Sequence, residues 1–444
     1  MDDPKNLPLL DSEEYYRKIR EFIFRYLSPA EILREKSKAG SQIKNEIRTL
    51  ALRAVQESKR IIPMEYQEQL IQRLLNEIFG FGIIQPLLED EDVAEIMIVA
   101  PDQVYIEKSG KLILADYRFD NEAQILQIID RIVSPLGRRI DESSPLVDAR
   151  LPDGSRINAV IPPIAVKSPT LTIRKFKTSI LDYQSLVKLG SMNSMIAEFL
   201  DICVHARMNI LISGGTGSGK TTLLNVCSSS IPADERIITI EDSIELQLLQ
   251  PHVVSLEGRP ANIEGQGKIT IRDLVINSLR MRPDRIVVGE VRGPEAFDML
   301  QAMNTGHDGS LSTIHSNSPK DAVSRLIAMV YMAGIDMPVH VIREMIFGAV
   351  EIIVQTSRLP DGSRKIIAVS SLDSFEGEDI GIHDIFQFVW SDQSNDEGKI
   401  VGHYQFNGIG KRLDQKIRRS IRNNPLAKEF LEKNGLLLDK EGEK

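Results

Sequence analysis

The sequence is short of cysteine and of long apolar runs, and each shortage excludes a class of protein. It has only two cysteines, Cys203 and Cys227, in 444 residues, which rules out a four-cysteine zinc site and a disulfide framework. Both lie in apolar helical surroundings, so we expect buried thiols in a reducing compartment. No apolar run approaches the length of a bilayer-spanning helix, and the acidic start Met1-Asp2-Asp3-Pro4 is unlike a secretory signal. We therefore expect a soluble, cytoplasmic protein.

Basic charge and aromatic side chains are also scarce. The 54 lysines and arginines are outnumbered by 63 acidic residues, giving a net charge of −9, whereas a nucleic-acid-binding domain is usually basic. Aromatic residues make up 5% of the chain, and no basic, aromatic loop of the kind that grips single strands stands out. We therefore expect no direct contact with nucleic acid. The length allows two or three globular domains.

The stretch from Asn209 to Thr222 is the most informative part of the chain. It predicts a buried strand, a glycine-rich turn and the start of a helix, and the turn fits G-x-x-x-x-G-K-[ST]. Glycines let backbone N–H groups approach phosphate oxygens, and a helix N-terminus adds a positive dipole end. Lys220 can reach the β- and γ-phosphates, and the Thr221 hydroxyl can ligate Mg²⁺. The predicted nucleotide-binding residues are Gly214, Gly215, Thr216, Gly217, Ser218, Gly219, Lys220, Thr221 and Thr222.

Two other interpretations of these glycines were weighed. A dinucleotide site of the Rossmann type fails, because no G-x-G-x-x-G can be threaded through them. A purely structural glycine turn is the remaining alternative, and the strand before and helix after argue against it. The sequence therefore predicts a nucleoside triphosphate site.

Two apolar segments downstream end in an acidic residue, Ile237–Glu241 and Arg285–Glu290. The carboxyl ends of strands are where an α/β sheet places its ligand site. Hydrolysis of a nucleoside triphosphate needs a carboxylate to hold metal or to orient water. We therefore predict Glu241 and Glu290 as catalytic residues and, with Thr221, as Mg²⁺ ligands. The structural alternative is that each acid simply ends a strand.

Two histidines, His307 and His315, bracket a further predicted strand at 310–315. A lone histidine is usually structural. A pair that brackets a strand of the nucleotide-binding sheet is better explained as a sensor of the γ-phosphate or a partner of the carboxylate. We therefore include both histidines in the predicted catalytic site.

The hydrophobic pattern divides the chain into regions. Residues 1–62 predict helices, and residues 63–176 predict an α+β domain without a phosphate loop. Residues 183–444 show strands alternating with helices, which is typical of a largely parallel sheet covered by helices. A short linker is expected at 177–182. The predicted fold is therefore α/β, a RecA-like P-loop ATPase domain behind an N-terminal α+β domain and an N-terminal helical segment.

Two further patterns concern single segments. The seven residues Arg150–Arg156 recur as Arg358–Arg364, and Pro-Asp-Gly is turn chemistry. We interpret the repeat as two hairpin turns and not as a duplicated domain. A basic cluster begins the last helical stretch, and we interpret it as a solvated helix face, with contact to acidic lipid or an acidic partner as the alternative. Its members are Lys411, Arg412, Lys416, Arg418, Arg419 and Arg422.

Several blocks, taken in order, resemble the Walker A, Asp box, Walker B and His box of the type II/type IV secretion ATPases. Within that superfamily the chain most resembles the CpaF branch, the motors of tight-adherence (Flp) pili. The resemblance covers roughly residues 70–410. The blocks are Gly214–Thr222, Ile240–Glu245, Asn262–Gly265, Leu279–Arg285, Val288–Gly293 and Asn304–His315, with Arg150–Pro163 and Leu171–Phe176 in the N-terminal domain.

The resemblance implies roles for individual residues. Lys220 and Thr221 would bind phosphate and Mg²⁺, and Glu290 would position or activate the attacking water. Glu241 would assist with metal or water, and the two histidines would form the His-box pair. Arginines of the N-terminal domain complete the site in this family, sometimes on a neighbouring subunit; the candidates here are Arg150, Arg156 and Arg174.

The resemblance also implies an assembly. The expected protein is a ring-forming homohexamer that uses ATP and Mg²⁺ and rocks its two domains about the linker at 177–182. It would work in the cytoplasm, peripheral to the inner membrane, through a pilus or secretion platform protein. Two alternatives stay open: a type IV secretion ATPase for protein or DNA transfer, and a nucleotide-gated scaffold that hardly hydrolyses ATP. Intact Lys220, Glu241 and Glu290 argue against the scaffold.

Overall fold

The computed structural model divides the chain into two compact units, Met1–Lys177 and Thr178–Lys444. It describes residues 9–27, 40–57, 63–108, 110–176, 181–259, 261, 266–376, 379–394, 400–421 and 424–436. The block predicted at 262–265 and most of the linker predicted at 177–182 therefore lie outside the described residues. No helix in the described ranges is both long enough and apolar enough to cross a membrane.

Unit 1 begins with three helices that pack on one another: α1 (Leu9–Tyr26), α2 (Gly40–Glu57) and α3 (Met64–Phe79). Their apolar residues recur at helical spacing and form one buried cluster. Ile23, Ile47 and Leu74 are fully buried in it. The apolar faces of these helices are therefore used for packing within unit 1.

An antiparallel sheet forms the rest of unit 1. Its six strands lie in the order β3-β2-β1-β6-β5-β4. Asn121 caps the N-terminus of helix α5, because its side chain accepts a hydrogen bond from Gln124 N, and the helix buries Ile125 and Ile129. The elements are α4 (Gln85–Glu89), β1 (Val93–Ala100), β2 (Gln103–Lys108), β3 (Lys111–Leu114), α5 (Glu122–Val133), β4 (Leu146–Arg150), β5 (Arg156–Val160) and β6 (Thr170–Arg174), with 3₁₀ turns at Gly82–Ile84 and Ser134–Leu136.

Unit 2 is built on a nine-stranded sheet in the order β15-β14-β13-β12-β7-β11-β10-β8-β9. The strands are β7 (Ile210–Gly214), β8 (Ile237–Glu241), β9 (Val253–Glu257), β10 (Arg285–Val291), β11 (Leu311–Ile314), β12 (Ile352–Arg358), β13 (Arg364–Glu376), β14 (Asp379–Ser394) and β15 (Ile400–Phe406). The helices are α6 (Tyr183–Lys188), α7 (Ser194–His205), α8 (Lys220–Ser229), α9 (Ile271–Ser278), α10 (Glu295–Asn304), α11 (Pro319–Met332), α12 (Val339–Ala349), α13 (Lys411–Ser420) and α14 (Pro425–Lys433).

The centre of this sheet is parallel and is buried on both faces. Strand β7 pairs in parallel with β11 and β12, and β10 pairs in parallel with β8 and β11. Alternate residues of β7 enter different cores, Ile210 and Ile212 on one face and Leu211 on the other. Near-continuous apolar strands are what such a sheet requires. The predicted α/β architecture of this region is confirmed.

Both cysteines are free and buried in unit 2. Cys203 lies in α7 and Cys227 in α8, inside the same apolar core. Burial raises the pKa of the Cys227 thiol to about 12, so the thiol stays protonated and unreactive at neutral pH. The expectation of buried thiols is confirmed.

The repeated seven residues form the same hairpin turn twice. In the first copy Leu151 N donates to Ser155 O, and in the second Leu359 N donates to Ser363 O, at 2.9 and 2.8 Å. In each copy the two arginines that flank the turn are direct cross-strand partners. The interpretation as two hairpin turns is confirmed.

The basic cluster in α13 is used largely inside unit 2. Lys416 Nζ lies 2.7 Å from Glu351 Oε1, and Arg412 donates to the carbonyls of Leu372 and Gly348. Arg418 pairs with Asp414 on its own helix. The interpretation as a solvated face is therefore wrong for Lys416 and Arg412, because their positive ends meet partners inside unit 2, whereas Arg418 is exposed. Lys411 and Arg419 are exposed, and Arg422 lies outside the described residues.

Candidate functional site

The phosphate loop lies between a fully buried strand and a helix. Strand β7 ends at Gly214, and helix α8 begins at Lys220, so strand, loop and helix follow in the predicted order. Gly217 and Gly219 have φ of 69° and 97°, a left-handed conformation that residues with a Cβ adopt at a cost. A Cβ on Gly214 would lie 2.4 Å from Thr356 Oγ1. These glycines are required by the backbone path.

The loop is held in shape from the β12 side. Ser218 Oγ donates to Gly215 O at 2.8 Å and lies 2.8 Å from Thr356 Oγ1. The Thr356 hydroxyl in turn donates to Ser213 O at 3.1 Å. Thr356 is a site residue that the sequence did not reveal, because only the pairing of β12 with β7 brings it to the loop.

Lys220 lies along the loop with its side chain buried. Its Nζ donates to Gly215 O at 3.0 Å and lies 3.3 Å from His315 Nε2. His315 follows the last residue of β11, the strand next to β7. The ammonium group therefore sits between the glycine loop and the carboxyl end of the neighbouring strand, where the terminal phosphates of a nucleotide would lie.

Glu290 is the carboxylate that the structure brings to this place. It lies near the end of β10, and its Oε1 is 3.2 Å from His315 Nε2. Its Oε2 accepts a hydrogen bond from Arg292 Nη2 at 2.6 Å. Oε1 is buried and accepts no hydrogen bond from the described residues. Oε2 is thus held by Arg292, while Oε1 remains able to accept a hydrogen bond from water or to ligate a metal ion.

His315 is kept neutral by its surroundings. Burial lowers its pKa first and the charge of Lys220 lowers it further, which together outweigh the opposing effect of Glu290. A neutral imidazole carries one N–H, so Nε2 either donates toward Glu290 or accepts from Lys220. His315 therefore links the cation of the loop to the carboxylate.

Glu241 also ends a strand, but its carboxylate turns toward the backbone. Oε1 accepts from Glu245 N at 2.9 Å and from Leu246 N at 3.2 Å. Its Cγ would be 2.8 Å from a Cβ on Gly289, so a side chain at 289 would displace it. Glu241 thereby orders the segment after β8 beside the strand of Glu290. Its role in metal binding or catalysis stays a prediction.

The two predicted histidines are not brought together. His307 precedes β11 and His315 follows it, so the four-residue strand, roughly 13 Å long, lies between them. His307 N donates to Ala302 O, and its Nδ1 is buried without a hydrogen-bond partner in the described ranges. Of these two histidines, His315 contacts the Glu290 carboxylate, and the role of His307 stays a prediction.

The three predicted arginines form one row in unit 1. Arg150 is the cross-strand partner of Arg156, which is in turn the partner of Arg174. Directly opposed residues of antiparallel strands lie on the same face of a sheet. The structure therefore groups these arginines with one another, on β4, β5 and β6.

The residues of unit 2 fit a nucleotide with Mg²⁺. A cavity of about 440 Å³ lies beside the loop, lined by Gly215, His315, Asn317 and Arg325 among others. The Arg325 guanidinium suits a phosphate group, and the Asp321 carboxylate also lines the cavity. The Thr221 hydroxyl in the first turn of α8 and the open oxygen of Glu290 are the oxygen donors that Mg²⁺ prefers.

Comparison with known proteins gives relatives along most of the chain. Residues 77–394 match the family described as type II/IV secretion system protein. The conjugal transfer protein TrbB of Rhizobium radiobacter is 34% identical over 281 residues, covering 62% of this chain and 83% of the relative. The type IV secretion system protein VirB11 of Bartonella quintana is 33% identical over 347 residues, covering 68% and 96%. The solved VirB11 ATPase of Brucella suis is 27% identical, covers 65% of this chain and 95% of that one, and aligns with a TM-score of 0.36.

Proposed function

This chain belongs to the type II/IV secretion system protein family and is an ATPase, and from that premise we propose that it is a Mg²⁺-dependent motor of a secretion or pilus-assembly machine. The observation that carries the proposal is the arrangement of Lys220, His315 and Glu290. At the edge of the glycine loop, Lys220 Nζ lies 3.3 Å and Glu290 Oε1 lies 3.2 Å from His315 Nε2, and Oε1 accepts no hydrogen bond from the described residues. A lysine and a carboxylate in this position would supply the phosphate-binding cation and the water-orienting group that transfer of a γ-phosphate to water uses.

The reaction follows from what each side chain can do. Lys220 neutralises charge on the β- and γ-phosphates, and loop N–H groups hold their oxygens. Glu290 Oε1 accepts a hydrogen bond from the attacking water. This bond orients the water so that a lone pair of the water oxygen points at phosphorus. Arg292 and His315 fix the orientation of that carboxylate. Mg²⁺, when bound, would supply charge stabilisation at the phosphates; Thr221 would hold it, and Glu290 and Glu241 are the candidate carboxylate ligands.

The working form proposed here is a RecA-like homohexameric ring. In the family that this chain resembles, arginines of the N-terminal domain complete the site, and the candidates here, Arg150, Arg156 and Arg174, form one row in unit 1. We infer that this row meets a bound nucleotide, in the same or a neighbouring subunit. The ring would act in the cytoplasm, peripheral to the inner membrane and attached through a platform protein.

Two machines are candidates for this motor. The resemblance to the CpaF branch favours assembly of Flp-type pili. The relatives at about one-third identity are named for conjugal transfer and type IV secretion, which favours a type IV secretion system. Both candidates are tested by replacing the gene in its own cell with the Glu290→Gln allele. Loss of surface pili with intact transfer supports the first machine, and loss of transfer with intact pili supports the second.

The enzymatic proposal is tested by steady-state ATP hydrolysis on size-separated protein. We expect activity in the hexamer-sized fraction, and we expect Glu290→Gln to bind ATP but hardly turn it over. Glu429→Gln, which removes an exposed carboxylate on α14, is the matched control and should keep wild-type activity. ATP binding without hydrolysis in any wild-type fraction would favour the scaffold alternative. Undiminished activity of Glu290→Gln would remove that residue from the mechanism and direct attention to Glu241.

A further inference from the structure

We propose that Arg364 binds the nucleoside end of the nucleotide, from the side of the phosphate loop opposite Glu290. The proposal rests on the nucleotide site described above and adds a residue that belongs to none of the phosphate-loop, carboxylate or histidine motifs. Arg364 closes the second copy of the repeated hairpin and is the first residue of β13. The inference follows from three observations: its contact with the loop, the rigidity of its hairpin and the order of strands around the loop.

The first observation is a direct contact. Arg364 Nε donates to Gly217 O at 2.9 Å, and its Cδ lies 3.7 Å from where a Cβ on Gly219 would be. The hairpin reaches the loop because β12 runs parallel to β7 and continues past its end. Thr356 pairs with Gly214, the last residue of β7, and β12 goes on to Arg358. Arg364, which follows the turn of this hairpin, therefore lies beside the middle of the loop.

The second observation is that this hairpin is firmly held. Asp361 Oδ1 accepts from Ser363 N at 2.9 Å, and Asp361 Oδ2 accepts from Ile400 N at 2.8 Å. The turn is thus tied to the start of β15. The turn therefore holds Arg364, the last residue of the repeat, against the phosphate loop.

The third observation is the strand order β12-β7-β11-β10. Glu290 and His315 belong to the β10–β11 side of the loop, so the γ-phosphate has to point that way. A nucleotide is a linear chain of phosphates followed by ribose and base. With its γ end toward β11, the α-phosphate and nucleoside extend toward β12, where Arg364 lies.

The free chemistry of Arg364 suits this end of the ligand. The side chain is exposed, and within the described ranges its two terminal nitrogens make no hydrogen bond or ion pair. A guanidinium can donate a fork of hydrogen bonds to phosphate and can stack on a planar base. Arg358 is its direct cross-strand partner, and like charges directly opposite each other repel. A nucleotide phosphate near Arg364 would reduce that repulsion.

The competing explanation is that Arg364 only braces Gly217. Pyrophosphate distinguishes this explanation from the proposal, because it can fill the phosphate positions of the loop but has no nucleoside for Arg364 to bind. The dissociation constant of fluorescent ADP is measured first for each variant of the full chain. Competition with ADP and with pyrophosphate then gives both affinities for wild type, Arg364→Ala, Arg364→Lys and the control Arg419→Ala. Arg419 is an exposed arginine on α13.

We expect Arg364→Ala to weaken the binding of ADP about tenfold and the binding of pyrophosphate less than about twofold. Arg364→Lys keeps the charge without the fork, so it should recover part of the ADP affinity. Equal losses of affinity for ADP and pyrophosphate would mean that Arg364 only supports the loop at Gly217, and would overturn the proposal. An unchanged affinity for ADP would overturn it as well. Failure of wild type and Arg419→Ala to bind ADP would instead refute the nucleotide site itself, and the proposal with it.

Discussion

The guanidinium of Arg285 occupies the space where Gly309 would otherwise carry a side chain. A Cβ on Gly309 would lie 1.9 Å from Arg285 Nη1, and Nη1 donates to Gly309 O at 3.1 Å. Arg285 is fully buried at the start of β10 and also pairs with Glu235. This contact fixes the turn before β11 against the strand that carries Glu290.

Gly309→Ala should be strongly destabilising. The glycine has φ of 84°, and the added methyl would displace a buried, paired guanidinium. We expect the free energy of unfolding to fall by about 3 kcal/mol or more, measured by denaturant titration. Gly306→Ala is the matched control, since Gly306 has φ of 97° with nothing near its missing Cβ. Gly306→Ala should lower the free energy of unfolding by only about 1 kcal/mol, the cost of a left-handed backbone at a residue with a Cβ. Equal losses for the two variants would contradict the proposed contact.

The same network predicts a dependence of stability on acid. Burial acts to raise the pKa of Glu235, but hydrogen bonds from Arg285 and Arg207 outweigh it, so the pKa lies below the ordinary value of 4.5. A carboxylate with a lowered folded-state pKa stabilises the fold above its unfolded pKa and loses that contribution as the pH falls through the folded value. Glu235→Gln should therefore cost about 3 kcal/mol at pH 7.

The cost of Glu235→Gln should shrink steadily below pH 4.5, when wild type is titrated with denaturant at each pH. Glu429→Gln removes an exposed carboxylate and serves as the control, with little effect at pH 7. A cost for Glu235→Gln that stays constant down to pH 3 would mean that its charge is not what holds Arg285.

Local pattern was sufficient to predict the phosphate loop and the strand ends that bear Glu290 and His315. Each depends on a few neighbouring residues, because glycine spacing and apolar strands leave a direct trace in the sequence. The sequence also placed His307 and His315 on either side of a strand, but treating them as one functional pair overlooks that an extended strand holds the residues at its two ends apart. The direction of a side chain is likewise absent from the pattern, and Glu241 turns to the backbone of Glu245.

The residues that the sequence did not reveal come from distant segments. Thr356 lies 138 residues from its partner Ser218, and Arg364 lies 147 residues from Gly217. These contacts depend on β12 pairing with β7, and the order of strands in a parallel sheet follows from packing of the whole unit and not from any local motif. Arg292 was overlooked for another reason, since an arginine two residues after an acid is common on any surface.

His315 is expected to act through Glu290 as a positioning residue. His315→Ala removes the contact to Oε1 and should lower kcat about tenfold or more, while the KM for ATP changes little, because Lys220 and the loop still hold the phosphates. His315→Gln, which keeps a hydrogen-bonding nitrogen, should recover part of kcat. The control is His340→Gln at an exposed position on α12. A rise in KM without loss of kcat would show that His315 binds substrate instead.

The Thr356 hydroxyl should strengthen the binding of phosphate groups by the loop. Thr356→Val keeps the shape of the side chain but removes the hydroxyl that contacts Ser213 O and Ser218 Oγ. Because both partners are buried, we expect a loss of about 1–3 kcal/mol in the free energy of unfolding and several-fold weaker binding of both ADP and pyrophosphate. Thr356→Ser restores the hydroxyl and should restore both affinities. If Thr356→Val binds pyrophosphate as wild type does, the loop keeps its shape without support from β12, and this hydroxyl has no part in nucleotide binding.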